Sequence, residues 1–381
     1  DIVGIIILPA DPLSINTLSR FTGIGTDQIS NRLDSFRSVL SIPGDRDQPV
    51  RILHLSFRDF LVRSSSKFLV DERRKHKEIA HCCLKTMQSH LRKDICNLAN
   101  PRAQKADNPQ DTRQYLPPEL QYSCRYWIHH LKQSQDLSSG IEDVLLFLQK
   151  HFLHWLEAMS LLGLISEVVG MLDLLHTVKL RDDNPVISDF LHDGTRFVLK
   201  NRQIANEAPL QIYYAGLVFT TRTTIIRREF KSELPGWICQ FPQVNEKWSA
   251  ELQTLEGHSS WVHSVAFSPD GRLLASTATG GLQETLTTKG IVNKLDFSQD
   301  GSYLITNLGT LDVQSGHKYL ASNSTHKNRA IFIEQGRWIN MNGKNVLWLS
   351  PDFRPTCSAI NGDSLALGHE SGRVSFLRFR L

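Results

Sequence analysis

Histidines and cysteines are the residues of this sequence whose types and spacing could bind a metal ion. Two groups stand out: His76, His81, Cys82 and Cys83, and His151 with His154. Zinc sites use paired spacings such as C-x-x-C or H-E-x-x-H, and neither group has one. Consecutive side chains of a helix also point in different directions, so they cannot converge on one ion. We therefore interpret both groups as core or surface residues and expect no metal site.

Motifs of nucleotide hydrolysis or nucleophilic catalysis are absent from the sequence. A G-x-x-x-x-G-K-[ST] loop, which cradles nucleotide phosphates, occurs nowhere in the 381 residues. Gly23 and Gly25 lack the Lys and Ser or Thr that would follow in such a loop, so we interpret them as part of a turn. The G-x-S-x-G elbow of serine hydrolases is also missing. We therefore expect no enzymatic activity and no cofactor bound by this chain alone.

A further set of residues has the types and order of a hydrogen-bonded network between β-strands: Gly257, His258, Asp270, Gly271 and Ser276. The Gly-His pair precedes an alternating run over 262–267, and a Ser-Pro-Asp-Gly turn leads into a second apolar strand. Two strands joined by such a turn predict a hairpin. A hairpin with Gly-His ahead of it resembles one blade of a WD40 propeller. The resemblance implies a structural role for these five residues.

The repeat is incomplete. Residues 266–276 align with residues 296–306, an offset of 30 positions, whereas a blade takes about 40 to 45 residues. The third strand, which ends in Trp-Asp in the family, is missing between the two units. The turns predict three to four blade-like units, and a closed propeller has four to eight. We therefore expect an incomplete or degenerate WD40-propeller-like domain.

Other elements precede these strands. Residues 12–70 have the apolar spacing of two helices followed by a hairpin and another helix, which is typical of a winged helix. The next stretch is mostly helical, with breaks expected at Gly163 and Gly170. The fold class is then multidomain: a winged helix at 1–70, a helical relay region at 71–250 and an all-β, propeller-like domain at 251–381.

The stretch LPADPLSINTLSRFTGI, followed by ILHLSFRDFLV, resembles the winged helix that closes a NACHT module. Such modules belong to STAND-type NTPases related to NOD-like receptors and to fungal heterokaryon-incompatibility proteins. The resemblance implies that His54 donates a hydrogen bond to the β-phosphate of ADP, and such a charge-assisted bond is strong. Alternatively, His54 caps local backbone at the end of a strand. ATP or ADP is expected only with an upstream NACHT module.

Composition restricts the partners and the compartment. The 43 basic and 39 acidic residues nearly balance, so a nucleic-acid partner is not required. Six scattered cysteines favour the reducing cytoplasm over a disulfide framework. No apolar run is long enough to cross a membrane. The first residue is Asp1, not Met, so we expect a piece of a longer protein.

These features together predict the regulatory, protein-binding part of a NACHT–WD40 signalling protein, without catalysis of its own. The β-domain would sense a ligand or protein partner, and the winged helix would act as a latch on the nucleotide state. Two alternatives stay open: a winged-helix nucleic-acid-binding protein, and a decayed gene product with no retained activity.

Overall fold

The computed structural model describes residues 2–63, 70–103, 112–135, 140–179, 185–248, 262–267, 274–278, 295–297, 303–306, 309–312, 331–361, 363–368 and 374–380. The chain divides into two compact units. One comprises Asp1–Gln253 with Arg329–Leu381, and the other comprises Thr254–Asn328. The C-terminal strands therefore belong to the same unit as the helices. The three boundaries drawn from the sequence stay predictions.

The helices account for most of the first unit. In the described part of the chain the α-helices are α1 (Ile2–Ile7), α2 (Ile15–Thr22), α3 (Thr26–Asp34), α4 (Leu55–Arg63), α5 (Glu72–His90), α6 (Thr112–Tyr115), α7 (Pro118–Ser134), α8 (Ile141–Leu161), α9 (Val168–Lys179), α10 (Pro185–Glu207), α11 (Ala215–Val218) and α12 (Ile225–Glu229). Among the described residues, no helix has the length and apolar character needed to span a bilayer.

The N-terminal segment, residues 2–63, has the order of elements that the sequence predicts. Ser14 caps α2 by accepting a hydrogen bond from the Thr17 amide at 3.1 Å. Gly23 ends this helix with a φ of 75°, a conformation that favours glycine. After α3, strands β1 (Leu40–Ser41) and β2 (Arg51–Ile52) pair antiparallel and lead into α4. Two helices, a hairpin and a third helix are therefore confirmed, while their assignment as a winged helix stays a prediction.

The helical tract that follows is built around large aromatic side chains. Trp127 of α7 and Trp155 of α8 are fully buried and meet edge to face, with ring centroids 5.7 Å apart. Their contact joins the two helices through a geometry that aromatic rings favour. Gly163, with a φ of 77°, ends the helical run as predicted. Gly170 does not break it, because this residue lies inside α9.

The strands after the helical tract are short. They are β3 (Ile238–Gln240), β4 (Val262–Phe267), β5 (Leu274–Ala278), β6 (Leu295–Phe297), β7 (Tyr303–Thr306), β8 (Gly309–Asp312), β9 (Ile331–Glu334), β10 (Trp338–Met341), β11 (Lys344–Trp348), β12 (Cys357–Asn361), β13 (Ser364–Gly368) and β14 (Val374–Phe379). In the described residues they form four sheets, ordered β4-β5, β6-β7-β8, β11-β10-β9 and β12-β13-β14-β3. The assignment of these sheets as three to four blade-like units of a propeller stays a prediction.

The internal repeat is visible in the strand registers of the second unit. In the first hairpin Ala266 pairs with Ala275, and in the second Asp296 pairs with Ile305. Both partners in the second hairpin lie 30 positions after their counterparts in the first. The neighbouring pairs repeat with the same offset. The predicted hairpin and its alignment with the second unit are therefore confirmed at the level of the backbone.

The last sheet includes a strand that the sequence did not predict. β3 comes directly after the helices, yet it pairs antiparallel with β14, so that Gln240 lies opposite Arg378. The Arg380 amide extends this pairing by donating to the Trp237 carbonyl at 2.7 Å. Trp237 stacks on Phe379 with centroids 5.9 Å apart. A strand that precedes the repeats thus completes the sheet at the end of the chain.

Candidate functional site

His54 lies in the two-residue connection between β2 and α4. Its backbone carbonyl accepts a hydrogen bond from the Phe57 amide at 3.0 Å, which starts the helix. Its side chain is exposed to solvent. The backbone of His54 therefore initiates α4, and its imidazole is accessible to a group outside this chain.

Two large apolar side chains are exposed close to His54 in the chain. Leu53 is 53% exposed and Phe60 is 52% exposed. Elsewhere on α4, Leu61 is buried and Phe57 contacts Phe36 with centroids 6.1 Å apart. We call the exposed residues Leu53, His54 and Phe60 the His54 surface.

The histidines and cysteines considered as metal ligands in the sequence lie on helices α5 and α8. Among the described residues, no group of three or more His, Cys, Asp or Glu side chains has the geometry to hold a metal ion. On α5, His76 and Cys83 are buried while His81 is exposed, so these side chains face different directions. His151 and His154 contact each other through their Nδ1 atoms at 3.3 Å.

Most of the predicted blade network lies outside the described residues, namely Gly257, His258, Asp270 and Gly271. Ser276 lies in β5, where its backbone is paired with Val265. The roles of these five residues therefore stay predictions.

A cleft of about 700 Å³ separates the N-terminal segment from the helical tract. Its walls come from the segment around Asp11 and Arg20, from the β1–β2 loop, and from α7. Tyr126 donates a hydrogen bond to Asp11, and Arg125 forms an ion pair with Glu167 at 3.0 Å. Charges of both signs therefore line the cleft, and they favour no single class of ligand.

The helical tract and the last two sheets share one apolar core, which we call the joint. On the helical side it includes Ile204 and Phe219, and on the sheet side Leu347, Leu377 and Phe379. The Phe219 ring contacts Phe353 with centroids 4.7 Å apart. This core packs the last two sheets directly against the end of α10 and the turns after it.

Gln211 is the polar centre of the joint. It is fully buried, and its amide nitrogen donates to the Pro101 carbonyl at 3.0 Å and to the Val346 carbonyl at 3.3 Å. Its amide oxygen accepts from the Trp348 amide at 3.0 Å. One side chain therefore bridges a loop of the helical tract and strand β11.

Glu157 holds another loop of the tract in place and was missed in the sequence. Its buried carboxylate accepts hydrogen bonds from the Ile95 amide at 2.9 Å and from the Tyr213 hydroxyl at 2.6 Å. Burial raises the pKa of Glu157 to about 7 despite these donors. An acid inside the apolar run of α8 was the available signal, because a buried carboxylate has to find partners.

The chain is anchored where it leaves the helical tract towards the repeats. The indole of Trp248 donates to the Asp193 carboxylate at 2.6 Å, and the same carboxylate accepts from the Ile226 amide at 2.8 Å. Asn245 accepts from the Arg222 amide at 2.9 Å through its carbonyl. Residues 245–248 are therefore fixed to the helices directly before the predicted first blade.

Comparison with known proteins gives two matches. The model of the family "WD domain, G-beta repeat" matches residues 249–282. Vegetative incompatibility protein HET-E-1 of Podospora anserina is 32% identical over 296 residues, which is 70% of this chain and 21% of that protein. This chain thus spans about a fifth of the length of the curated relative it matches. No solved structure matches it significantly.

The family-model match agrees with the WD40 resemblance found in the sequence, while the NACHT resemblance stays a prediction. The family model covers the Gly-His hairpin, and the similarity to the fungal protein extends over most of the chain. The resulting architecture is a helical region followed by short β-sheets, with a WD40 repeat between them. The chain carries a WD40 repeat and is similar to part of a fungal vegetative incompatibility protein.

Proposed function

We propose that this chain is the regulatory, protein-binding part of a NACHT–WD40 signalling protein. Its β-strands bind a ligand or protein partner, the helical tract transmits that binding, and the His54 surface contacts a nucleotide-binding module outside this chain. The joint carries the proposal, because one continuous core connects the last sheets to the helices.

The exposure of the His54 surface supports the proposed role of the winged helix as a latch on the nucleotide state. An exposed imidazole flanked by exposed Leu53 and Phe60 suits a contact in which apolar groups exclude water around a phosphate hydrogen bond. A bond between an imidazole and a phosphate is charge-assisted, and such bonds contribute about 1.5–3 kcal/mol. The latch therefore slows the release of ADP from the module.

Nucleic-acid binding is disfavoured by the charges of the N-terminal segment. Arg37 pairs with Asp34 at 2.8 Å, and Arg46 pairs with Asp27 at 2.8 Å. Affinity for nucleic acid comes mainly from basic side chains that neutralise phosphates. Arg37 and Arg46 are thus already paired with aspartates of α3, and paired arginines are poorly suited to that role. A gel-shift titration at low salt is expected to show no complex.

His54→Ala is expected to speed nucleotide release. The measurement uses a NACHT-class nucleotide-binding module supplied as a separate polypeptide and loaded with fluorescent ADP. Wild-type chain slows the release of ADP, and loss of one charge-assisted bond removes about 10-fold to 100-fold of that effect. The chain alone is expected to hydrolyse no ATP.

His81→Ala is the matched control, because His81 is also exposed but lies on α5, away from the His54 surface. It is expected to slow ADP release as strongly as the wild type. Equal rates of ADP release in the presence of the wild type and of His54→Ala would contradict the proposed contact between His54 and the nucleotide.

A further inference from the structure

Two buried histidines form a hydrogen-bonded chain between helices α5 and α7. The Nδ1 atoms of His76 and His130 lie 2.7 Å apart, and the side chains are 5% and 0% exposed. The Nε2 atom of His130 lies 2.7 Å from the Tyr122 hydroxyl. The chain ends at the backbone of the N-terminal segment, because the Ala10 amide donates to the same hydroxyl at 3.2 Å.

The contacts of this chain suit one assignment of its protons. The Ala10 amide donates to Tyr122, so the hydroxyl proton of Tyr122 points to His130 Nε2. Neutral His130 then carries its proton on Nδ1 and donates it to Nδ1 of His76. With both imidazoles neutral, each contact of the chain joins one donor to one acceptor. Protonation of both would place two N–H groups against each other across 2.7 Å, which breaks the chain.

Among the described residues, the main electrostatic effects on the pair come from imidazole and guanidinium groups, which do not stabilise added positive charge. The groups with the largest electrostatic effect on His76 are His129 of α7 and Arg58 of α4, and for His130 they are His76 and His129. Arg58 pairs with Glu72 of α5 at 3.4 Å. Burial, followed by these neighbours, lowers the pKa of His76 to about 4 and that of His130 to about 3. The folded state therefore holds both rings neutral at pH 7.

The pair lies where the N-terminal segment meets the helical tract. Besides Ala10, this meeting uses the edge-to-face contact of Phe21 with Tyr122 at 5.9 Å and the contact of Arg20 with Glu119 at 3.6 Å. The cleft of about 700 Å³ lies between the same elements and leaves their contact incomplete. The two parts also share one apolar core, so the hydrogen-bonded chain adds a polar link beside that apolar contact.

We propose that the His76–His130 pair is a proton-sensitive latch that holds the N-terminal segment against helices α5 and α7. Protonation of the pair breaks the hydrogen-bonded chain, releases the Ala10 amide and lets the segment open. The inference rests on the contacts of these residues and holds whether or not His54 contacts a nucleotide.

The sign of the effect follows from proton linkage. Each imidazole has a lower pKa in the closed state than in the open state, so the open state binds more protons between these two values. The stabilisation of the closed state is therefore complete above a pH of about 6.5 and is lost as the pH falls towards 4. For His76 alone, a pKa of about 4 closed and 6.5 open corresponds to about 30-fold more opening at pH 5.

Hydrogen exchange of the whole chain at pH 7.5 and pH 5 tests this latch. After correction for intrinsic exchange rates, protection of residues 8–14 is expected to fall about 30-fold in the wild type. In His76→Asn the side-chain amide oxygen can still accept from His130 but cannot be protonated. The loss of protection between pH 7.5 and pH 5 is therefore expected to shrink below about 3-fold. His81→Asn is the control, because His81 is exposed on α5 and lies outside the chain, and it is expected to show the same loss of protection as the wild type.

The proposal is overturned if His76→Asn loses as much protection at pH 5 as the wild type does, or if the wild type loses none. If His76→Asn does not fold, Tyr122→Phe takes its place, because it cuts the chain between Ala10 and His130. This variant is expected to lack protection of residues 8–14 already at pH 7.5 and to show no further loss at pH 5. A wild-type response to pH in Tyr122→Phe would equally overturn the latch. Titration of Glu157 occurs in all these variants and cancels in the comparison.

Discussion

Phe379→Ala is expected to lower the free energy of unfolding by about 3–5 kcal/mol, as truncation of a fully buried phenylalanine does. Phe379 is 1% exposed, stacks on Trp237 and belongs to the core of the joint. Its backbone also pairs with Ile238 of β3. The substitution therefore weakens both the sheet that β3 completes and its attachment to the helices. Urea denaturation followed by circular dichroism measures the change.

Phe376→Ala is the matched control for this substitution. Phe376 lies in the same strand, but its side chain points to solvent and is 53% exposed. Its truncation is expected to change the free energy of unfolding by about 0.5 kcal/mol or less. Equal effects of the two substitutions would mean that the C-terminal strand is not packed against the helices.

Gln211→Leu is expected to cost about 3 kcal/mol, because it leaves buried backbone groups without their partner. The Pro101 carbonyl and the Trp348 amide lose their hydrogen bonds to Gln211, and Leu has a similar volume, so a cavity contributes little. The loss is electrostatic in origin, in contrast to that of Phe379→Ala. The same denaturation experiment measures it.

Gln203→Leu provides the comparison for Gln211→Leu, since Gln203 is a half-buried glutamine of α10. A change of about 0.5 kcal/mol or less is expected there. If Gln211→Leu were as mild, the polar bridge between the tract and β11 would not contribute to stability.

Local patterns predicted local structure well. The Pro-Asp-Gly turn and the alternation around it predicted the pairing of β4 with β5, and its repetition predicted the pairing of β6 with β7. Asn342 and Gly343 form the kind of Asn-Gly turn that favours a hairpin, and they join β10 to β11 with positive φ values of 51° and 80°. These features depend on neighbouring residues, so one sequence is sufficient to find them.

Contacts between distant residues could not be predicted in this way. β3 has only three residues, too few for a clear alternation, and its partner lies at the other end of the repeats. His76 and His130 are 54 positions apart, and neither has a neighbour in sequence that indicates a pair. Gln211 resembles any polar residue of a loop until its burial between two elements is seen. Contacts of this kind depend on tertiary packing, which the periodicity of a sequence does not show.

Hydrogen exchange of Phe379→Ala tests most directly the claim that the helical tract and the last sheets move as one body. The account predicts that protection falls together in two places, the last sheet and residues 204–219 of the helical tract, because both contribute to the joint. Loss of protection confined to β3 and β12–β14, with residues 204–219 unchanged, would contradict it.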